Sequence, residues 1–358
     1  MLSLDVAQSI SCAEDNVKNP YNVVCTLFSG RFVRDRFNIL NQYSNFRWVD
    51  SVDKVPEPID TPIHELIDRR ANELLGKSIT VQWSGGVDST TVLLSLIKNG
   101  IPKEDLLIFY DTNSMTEYTN LYLWLKNQGY NMQQVKKWRK ELSNTTTDII
   151  TNGWCADQLY GSIFFHEGYK DYFSSLPEFL MSIKFPFGDL TKEEANTYAQ
   201  IYKDAAKQSL DVDLSIAAEL GWYINFSLKW TWVSTFNELF LLGTPSANKT
   251  QCFFDTDYFQ SWAVGNFKNI AKFNIYGENA RYYKQPFKEY CNEVFPDADY
   301  LNNKTKFPSW NAATAVTTSE PLRITIKHNE GYEIVNFPVR VNPPNIDDLS
   351  RIFTKYKK

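Results

Sequence analysis

Residues 78–98 read SITVQWSGGVDSTTVLLSLIK and carry the clearest local signal in the chain. The first six residues form a short run rich in β-branched side chains, which predicts a buried strand over 78–83. Residues 90–98 place apolar side chains at helical spacing and end at Asn99-Gly100, which predicts a helix. Between them lies the glycine loop, defined here as residues 84–90. A glycine-rich loop between a strand and a helix is the setting in which phosphate sites occur.

We expect the glycine loop to hold phosphate with all seven residues: Ser84, Gly85, Gly86, Val87, Asp88, Ser89 and Thr90. Glycines let the main chain turn tightly and present its N–H groups, and the start of the next helix favours an anion. A carboxylate repels phosphate, so Asp88 is expected to act through Mg²⁺. The alternative is a plain glycine turn, but the full string is more specific than a glycine pair. It lacks the Gly-Lys-Ser/Thr of a Walker loop.

The flanking sequence predicts an α/β fold with a parallel sheet flanked by helices. Strands are predicted at 22–28, 106–110 and 148–151, and helices at 64–75 and 116–128. Strands that alternate with helices imply crossover connections between parallel strands. We predict an N-terminal segment and linker over 1–62 and a main domain over 63–317, whose α/β core ends near 170. Helices at 193–210 and 214–242 follow in a helical extension, and 318–358 is predicted as a β-hairpin and a final helix.

The composition narrows the class of protein. The net charge is −5, which disfavours nucleic acid as a partner without excluding it. The five cysteines include no CxxC pair, which argues against zinc or iron–sulfur sites and favours a reducing, cytoplasmic setting. No signal peptide and no membrane-spanning segment are predicted. The sequence is compatible with a homo-oligomer.

Three segments resemble one enzyme superfamily. The string SGGVDS resembles the loop of the N-type ATP pyrophosphatases, which have the adenine nucleotide alpha hydrolase-like fold. Residues 148–165, DIITNGWCADQLYGSIFF, resemble a segment of asparagine synthetases and match it at Gly153, Ala156, Asp157 and Gly161. Residues 299–310, DYLNNKTKFPSW, resemble a later segment of that domain and place its lysine at Lys304. The resemblance to the synthetase domain of asparagine and β-lactam synthetases covers about 63–310.

The resemblance implies a ligase that uses ATP and Mg²⁺. Such an enzyme adenylates a small-molecule carboxylate, releases pyrophosphate and transfers the acyl group to an amine. Asp88 and Asp157 would be catalytic metal ligands, and Lys304 would neutralise charge on the pyrophosphate and the acyl-adenylate. By analogy within the fold, ATP would also lie near Trp83, Asp111 and Gly153.

Two departures from the family limit what the resemblance implies. Residue 2 is Leu2, where glutamine-dependent asparagine synthetases have a nucleophilic cysteine, so we expect no use of glutamine. Trp154 stands where the family has a glutamate or a tyrosine, and an indole cannot take up a proton. His166 and Glu167 are the candidate bases instead. Two other functions stay open: nucleobase modification through adenylation of a base oxygen, and nucleotide binding without catalysis.

Overall fold

The protein is described here from a computed structural model. It describes residues 3–5, 18–27, 35–37, 39–43, 54–161, 173–185, 188–230, 233–234, 241, 244–273, 284–304, 322–328 and 331–337. Among these residues, no helix has both the length and the apolar character needed to cross a bilayer.

The described residues form two sheets. The strands are β1 (Ser3–Asp5), β2 (Ile79–Gln82), β3 (Leu106–Tyr110), β4 (Asn131–Gln134), β5 (Ile149–Asn152), β6 (Thr250–Cys252), β7 (Leu322–His328) and β8 (Gly331–Phe337). Five of them build an all-parallel sheet in the order β4-β3-β2-β5-β6. Strands β7 and β8 pair antiparallel, and β1 adds to β7.

Helices surround the parallel sheet. They are α1 (Pro20–Leu27), α2 (Ile63–Glu73), α3 (Val87–Lys98), α4 (Thr112–Glu117), α5 (Thr119–Asn127), α6 (Trp138–Leu142), α7 (Ala156–Tyr160), α8 (Leu176–Ser182), α9 (Lys192–Leu210), α10 (Ala217–Ile224), α11 (Asp257–Phe273), α12 (Gln285–Val294) and α13 (Ala298–Asn303). The predicted α/β fold, a parallel sheet flanked by helices, is confirmed.

The order of the strands creates a crevice at the carboxyl ends of the central strands β2 and β5. From β2 the chain moves through β3 to β4 on one side, and then crosses back to place β5 and β6 on the other. The connections after β2 and β5 therefore diverge. In open parallel sheets, ligands bind outside the carboxyl ends of the strands at such a point. The glycine loop follows β2, and Gly153 follows β5.

The central strands match the predicted ones because they are buried on both faces. Ile79 and Val81 of β2 have no exposed surface, and buried parallel strands are apolar throughout. The sheet's two outer strands were not predicted. Strand β4 is polar and largely exposed, and β6 has only three residues, so neither carries a strong pattern.

The strand predicted at 22–28 is wrong, because residues 22–27 belong to helix α1. Val23 and Val24 are consecutive and both fully buried, which a half-buried strand does not allow. Asn19 and Pro20 mark the start of the helix, with the Val23 amide donating to the Asn19 carbonyl at 3.1 Å. Proline suits the first helical position because its fixed φ fits the helix and its missing N–H is not needed there.

The helix predicted at 116–128 is interrupted at Tyr118, which separates α4 from α5 with φ −143° and ψ 70°. The Tyr118 ring is buried and stacks on Tyr300 of α13, with centroids 3.9 Å apart. Tertiary packing thus overrides the local helical pattern. It also brings the end of α13 and Lys304 towards the glycine loop.

The helical part of the chain packs on the α/β core. Helix α12 lies against α3, while α11 lies against α2, α7 and α10. Their apolar side chains join those of the sheet in one hydrophobic cluster. Residues at the start of α12 are therefore held next to the glycine loop, although they lie almost 200 positions later in the chain.

Candidate functional site

The glycine loop is held in shape by its own serine side chains. The Ser84 amide and hydroxyl both lie 3.0 Å from the Ser89 hydroxyl, which also donates to the Gly86 carbonyl at 3.2 Å. Trp83 makes the last sheet bond before the loop, its amide donating to the Phe109 carbonyl at 2.9 Å. The loop thus leaves β2 in a defined conformation.

Gly85 is required by its backbone and by its neighbours. Its φ is +80°, a left-handed conformation that costs other residues about 1 kcal/mol or more. A Cβ here would lie 2.7 Å from the Ser114 carbonyl oxygen and 2.9 Å from the Glu117 Cβ. The loop therefore packs directly against α4, and the Glu117 carboxylate lies beside it.

The start of α3 points into the crevice. Gly86 is the residue before the helix and has no side chain with which to cap it. The first N–H groups of a helix have no partner within the helix, and its macrodipole makes this end positive. This end of α3 can accept an anion.

The loop after β5 lies in contact with the first turn of α3. A Cβ on Gly153 would come within 2.6 Å of the Ser89 nitrogen and 2.8 Å of the Asp88 Cβ. Only glycine allows the two segments to approach this closely. Cys155 then adopts φ +70° immediately before α7, which places Asp157 in the first turn of that helix.

Asp88 and Asp157 meet at one cation, the ammonium of Lys284. Lys284 Nζ lies 2.5 Å from both Asp88 oxygens and 2.6 Å from Asp157 Oδ1. The lysine side chain is 2% exposed, while the aspartate side chains keep 27% and 33% of their surface. The carboxylates thus face the crevice and the lysine approaches them from the protein side.

The negative charge of Asp88 acts on buried neighbours as well. Burial raises the pKa of the Cys291 thiol to about 12, and the charge of Asp88 adds to the effect. Burial, with a smaller contribution from Asp88, also raises the pKa of Tyr160 well above its usual value. Both groups stay neutral at physiological pH, so they add no further negative charge beside the two carboxylates. Lys284 supplies the positive charge that balances them.

The donor set fits a magnesium ion. Two carboxylates that converge on one point are hard oxygen ligands of the kind Mg²⁺ takes in nucleotide sites. The described residues contain no group of three or more His, Cys, Asp or Glu side chains that would hold a metal alone. An ion at this place would need its remaining ligands from phosphate or water, as Mg²⁺ usually does.

A second ion pair lies on the other side of the glycine loop. Lys304 Nζ is 2.6 Å from Glu117 Oε1, and both side chains are nearly buried, at 9% and 13% exposed. Lys288 supports this pair from behind, donating to the Lys304 carbonyl at 2.9 Å. Burial, and then the charge of Lys304, lower the pKa of Lys288 to about 8.

Trp83 and Thr90, both predicted to contact nucleotide, point into the core. Each side chain has no exposed surface, and the Trp83 indole N–H donates to the Thr90 hydroxyl at 3.0 Å. Any contact they make with a ligand in this conformation falls to the main chain. Asp111 lies at the carboxyl end of β3 but caps α4, with Oδ1 accepting from the Ser114 amide at 2.9 Å.

Sequence reasoning missed Lys284, Glu117 and Lys288. None of them lies in a recognisable motif, and Lys284 merely precedes the Gln285-Pro286 start of a helix. The candidate bases His166 and Glu167 lie outside the described residues, as do residues 305–310 of the segment that suggested Lys304.

No family model matches the chain, and no curated protein matches it either.

Proposed function

We propose that the protein is an ATP-dependent ligase that adenylates a small-molecule carboxylate, releases pyrophosphate and transfers the acyl group to an amine. One observation carries the proposal. Asp88 of the glycine loop and Asp157 in the first turn of α7 converge within 2.6 Å of one cation, at the crevice where the strand order reverses. ATP and Mg²⁺ are the proposed cofactors, and the fold is proposed to be of the adenine nucleotide alpha hydrolase-like type.

The charges around the crevice favour a nucleotide that arrives with a metal. Asp88, Asp157 and Glu117 bring three negative charges close to the loop, against the positive charges of Lys284 and Lys304. Both lysines are already paired with these carboxylates, so they leave little positive charge for a bare triphosphate. A divalent cation bound by Asp88 and Asp157 would supply charge neutralisation at the phosphates.

One set of protein groups donates hydrogen bonds to the phosphates, and another stabilises the charge that develops during the reaction. The first turn of α3 and the main chain of the glycine loop donate hydrogen bonds to phosphate oxygens. Lys304, held beside the loop by Glu117 and from behind by Lys288, provides positive charge where charge builds up during attack on the α-phosphate. The substrate carboxylate is the nucleophile of this step, and pyrophosphate leaves.

The second half of the reaction depends on the face of the crevice beside β5. Trp154 follows Gly153, is partly buried, and has its amide bonded to Asn152 Oδ1 at 3.0 Å. Its indole has a donor but no basic atom. The acceptor amine must therefore arrive neutral or lose its proton to another group. This differs from asparagine synthetases and points to an amine other than ammonia.

The setting of the reaction is proposed to be the cytoplasm. Cys155, Cys252 and Cys291 are free, buried thiols, as expected in a reducing compartment. Small-molecule carboxylates and amines are the proposed substrates.

Pyrophosphate release tests the proposal. Purified protein with ATP and Mg²⁺ is screened against a panel of carboxylic acids and amines. We expect release of pyrophosphate and AMP only with the matching carboxylate, and we expect Asp88→Ala to abolish it. Asp189→Ala is the matched control, since this exposed aspartate pairs with Lys184 away from the crevice.

Three outcomes separate the alternatives. Release that depends on RNA or DNA would replace the proposal with nucleobase modification. ATP binding without turnover across the whole panel would replace it with a nucleotide-binding protein that lacks catalysis. Turnover in Asp88→Ala equal to that of the unmodified protein would remove the aspartate pair from the mechanism.

A further inference from the structure

The Lys284 ammonium and the expected divalent cation would occupy the same position between Asp88 and Asp157. Three carboxylate oxygens, two from Asp88 and one from Asp157, lie 2.5–2.6 Å from the Lys284 nitrogen. These oxygens are the ones that would ligate a metal between the two side chains. An ammonium and a divalent cation cannot share this space, because both need the same oxygens and repel each other.

The position of Lys284 allows the ammonium to leave without moving the fold. Lys284 precedes α12 with a left-handed backbone, φ 51°. The helix itself is held from its first turns onward, with Phe287 and Cys291 buried and the Thr91 hydroxyl 3.4 Å from the Cys291 sulfur. A lysine side chain is a flexible four-carbon stem, so its end can swing while α12 stays packed on α3.

We propose that Lys284 is an internal cation that competes with the divalent metal for Asp88 and Asp157. This inference rests on the metal site of the proposed function. It adds that the metal must displace the Lys284 ammonium in order to bind there. The lysine neutralises the pair and keeps it together, so a metal alone binds weakly. Metal binding releases the ammonium from the carboxylates.

The first test removes the competitor. Mn²⁺ binding is measured without nucleotide, by electron paramagnetic resonance of the free ion, for the unmodified protein and for Lys284→Met. If lysine holds the pair in roughly nine molecules of ten, removing it tightens Mn²⁺ binding about tenfold. Lys268→Met is the control, since the Lys268 ammonium lies 2.9 Å from the carboxylate of Glu219, a residue of α10. It should leave Mn²⁺ affinity unchanged.

Two results would overturn the inference at this stage. Equal affinity in Lys284→Met and the unmodified protein would show that lysine and metal do not compete. Weaker binding in Lys284→Met would show that lysine supports the metal instead. Adding Asp157→Asn to Lys284→Met should cancel the gain, and a gain that persists would place the Mn²⁺ elsewhere.

The second test needs no variant at Lys284, and so does not depend on how that variant folds. Surface lysines of the unmodified protein are acetylated, and the modified positions are counted by mass spectrometry. Lys284 is 3% exposed and should be protected. Saturating Mn²⁺ should raise its labelling severalfold and leave Lys268 unchanged. Unchanged or reduced labelling of Lys284 would contradict the release of the ammonium.

Failure of this inference differs from failure of the proposed function. Both tests use the metal alone and require no turnover. Competition between Lys284 and Mn²⁺ without pyrophosphate release under any condition would keep the inference and refute the ligase. Pyrophosphate release without competition between Lys284 and Mn²⁺ would refute the inference and keep the ligase.

Discussion

Gly153→Ala is the sharpest probe of the contact between the two loops of the crevice. The added methyl group would lie 2.6 Å from the Ser89 nitrogen, 2.7 Å from the Asp88 carbonyl carbon and 2.8 Å from the Asp88 Cβ. Carbon atoms pack at about 3.5 to 4.0 Å, so the loop after β5 must move by about 1 Å away from α3. Two of the three obstructing atoms are main chain, which cannot turn aside as a flexible side chain can.

This displacement separates the residues of the proposed metal site. Asp157 follows Gly153 by four residues, and Asp88 is itself in the contact, so the two carboxylates no longer converge on one point. In enzymes, a misplacement of about 1 Å can lower the rate of the catalysed reaction about 100-fold. Overpacking should also lower the free energy of unfolding by about 1 to 3 kcal/mol.

The assay is calorimetric titration with ATP in the presence of Mg²⁺, with urea unfolding of the same samples. We expect the affinity for ATP to fall by about 10-fold to 100-fold. Gly129→Ala is the matched control: its φ is +74° and no atom lies within 4 Å of the added Cβ. It should lose about 1 to 2 kcal/mol of stability through backbone strain alone and keep its affinity. Unchanged affinity in folded Gly153→Ala would refute the reasoning, as would an equal loss in both variants.

Three further outcomes are expected. Asp157→Asn should weaken ATP binding at least about tenfold with Mg²⁺ and much less without it, measured by the same titration; an equal loss under both conditions would contradict a metal role. Lys304→Met should lower the free energy of unfolding by about 3 kcal/mol, because Glu117 stays nearly buried without its cation. Adding Glu117→Gln should restore part of it in urea unfolding, and a double variant no more stable than the single one would count against the pair. The pKa of Lys288 is lowered to about 8, so between pH 8 and about 10.5 the unfolded chain binds more protons than the folded protein does. The contribution of Lys288 to the free energy of unfolding therefore rises with pH. The protein should therefore gain stability relative to Lys288→Met between pH 7.5 and about 9.5, and thermal melts that show a constant difference would contradict the shift.

Local patterns were enough to predict the centre of the sheet. Strand β2, the glycine loop and α3 are neighbours in sequence, and their β-branched run, glycines and apolar spacing act over a few residues. The segment at 22–28 failed for a related reason. A run such as NVVCTLF suits a strand or a buried helix, and here the Asn19-Pro20 start and the burial of both Val23 and Val24 favour the helix.

The candidate site could be predicted only in part. Asp88 and Asp157 stand in recognisable strings beside the glycine loop and Gly153, and the structure brings them together. Glu117 gave no signal, because its place beside the loop depends on how α4 packs against Gly85. The core position of the Trp83 side chain was equally hidden, since an indole next to a glycine loop suits a nucleotide pocket or a core.

The sequence alone determined the strand–loop–helix unit, the parallel α/β class and the two aspartates, because each depends on short-range chemistry. The tertiary structure alone decided what stands between those aspartates. Lys284 is 196 residues from Asp88 and 127 from Asp157, and it reaches them only because α12 packs on α3. A buried ion pair between such distant positions leaves no periodic trace in the chain. Its existence follows from the electrostatic need of two adjacent carboxylates for a cation, and the fold decides which cation supplies it.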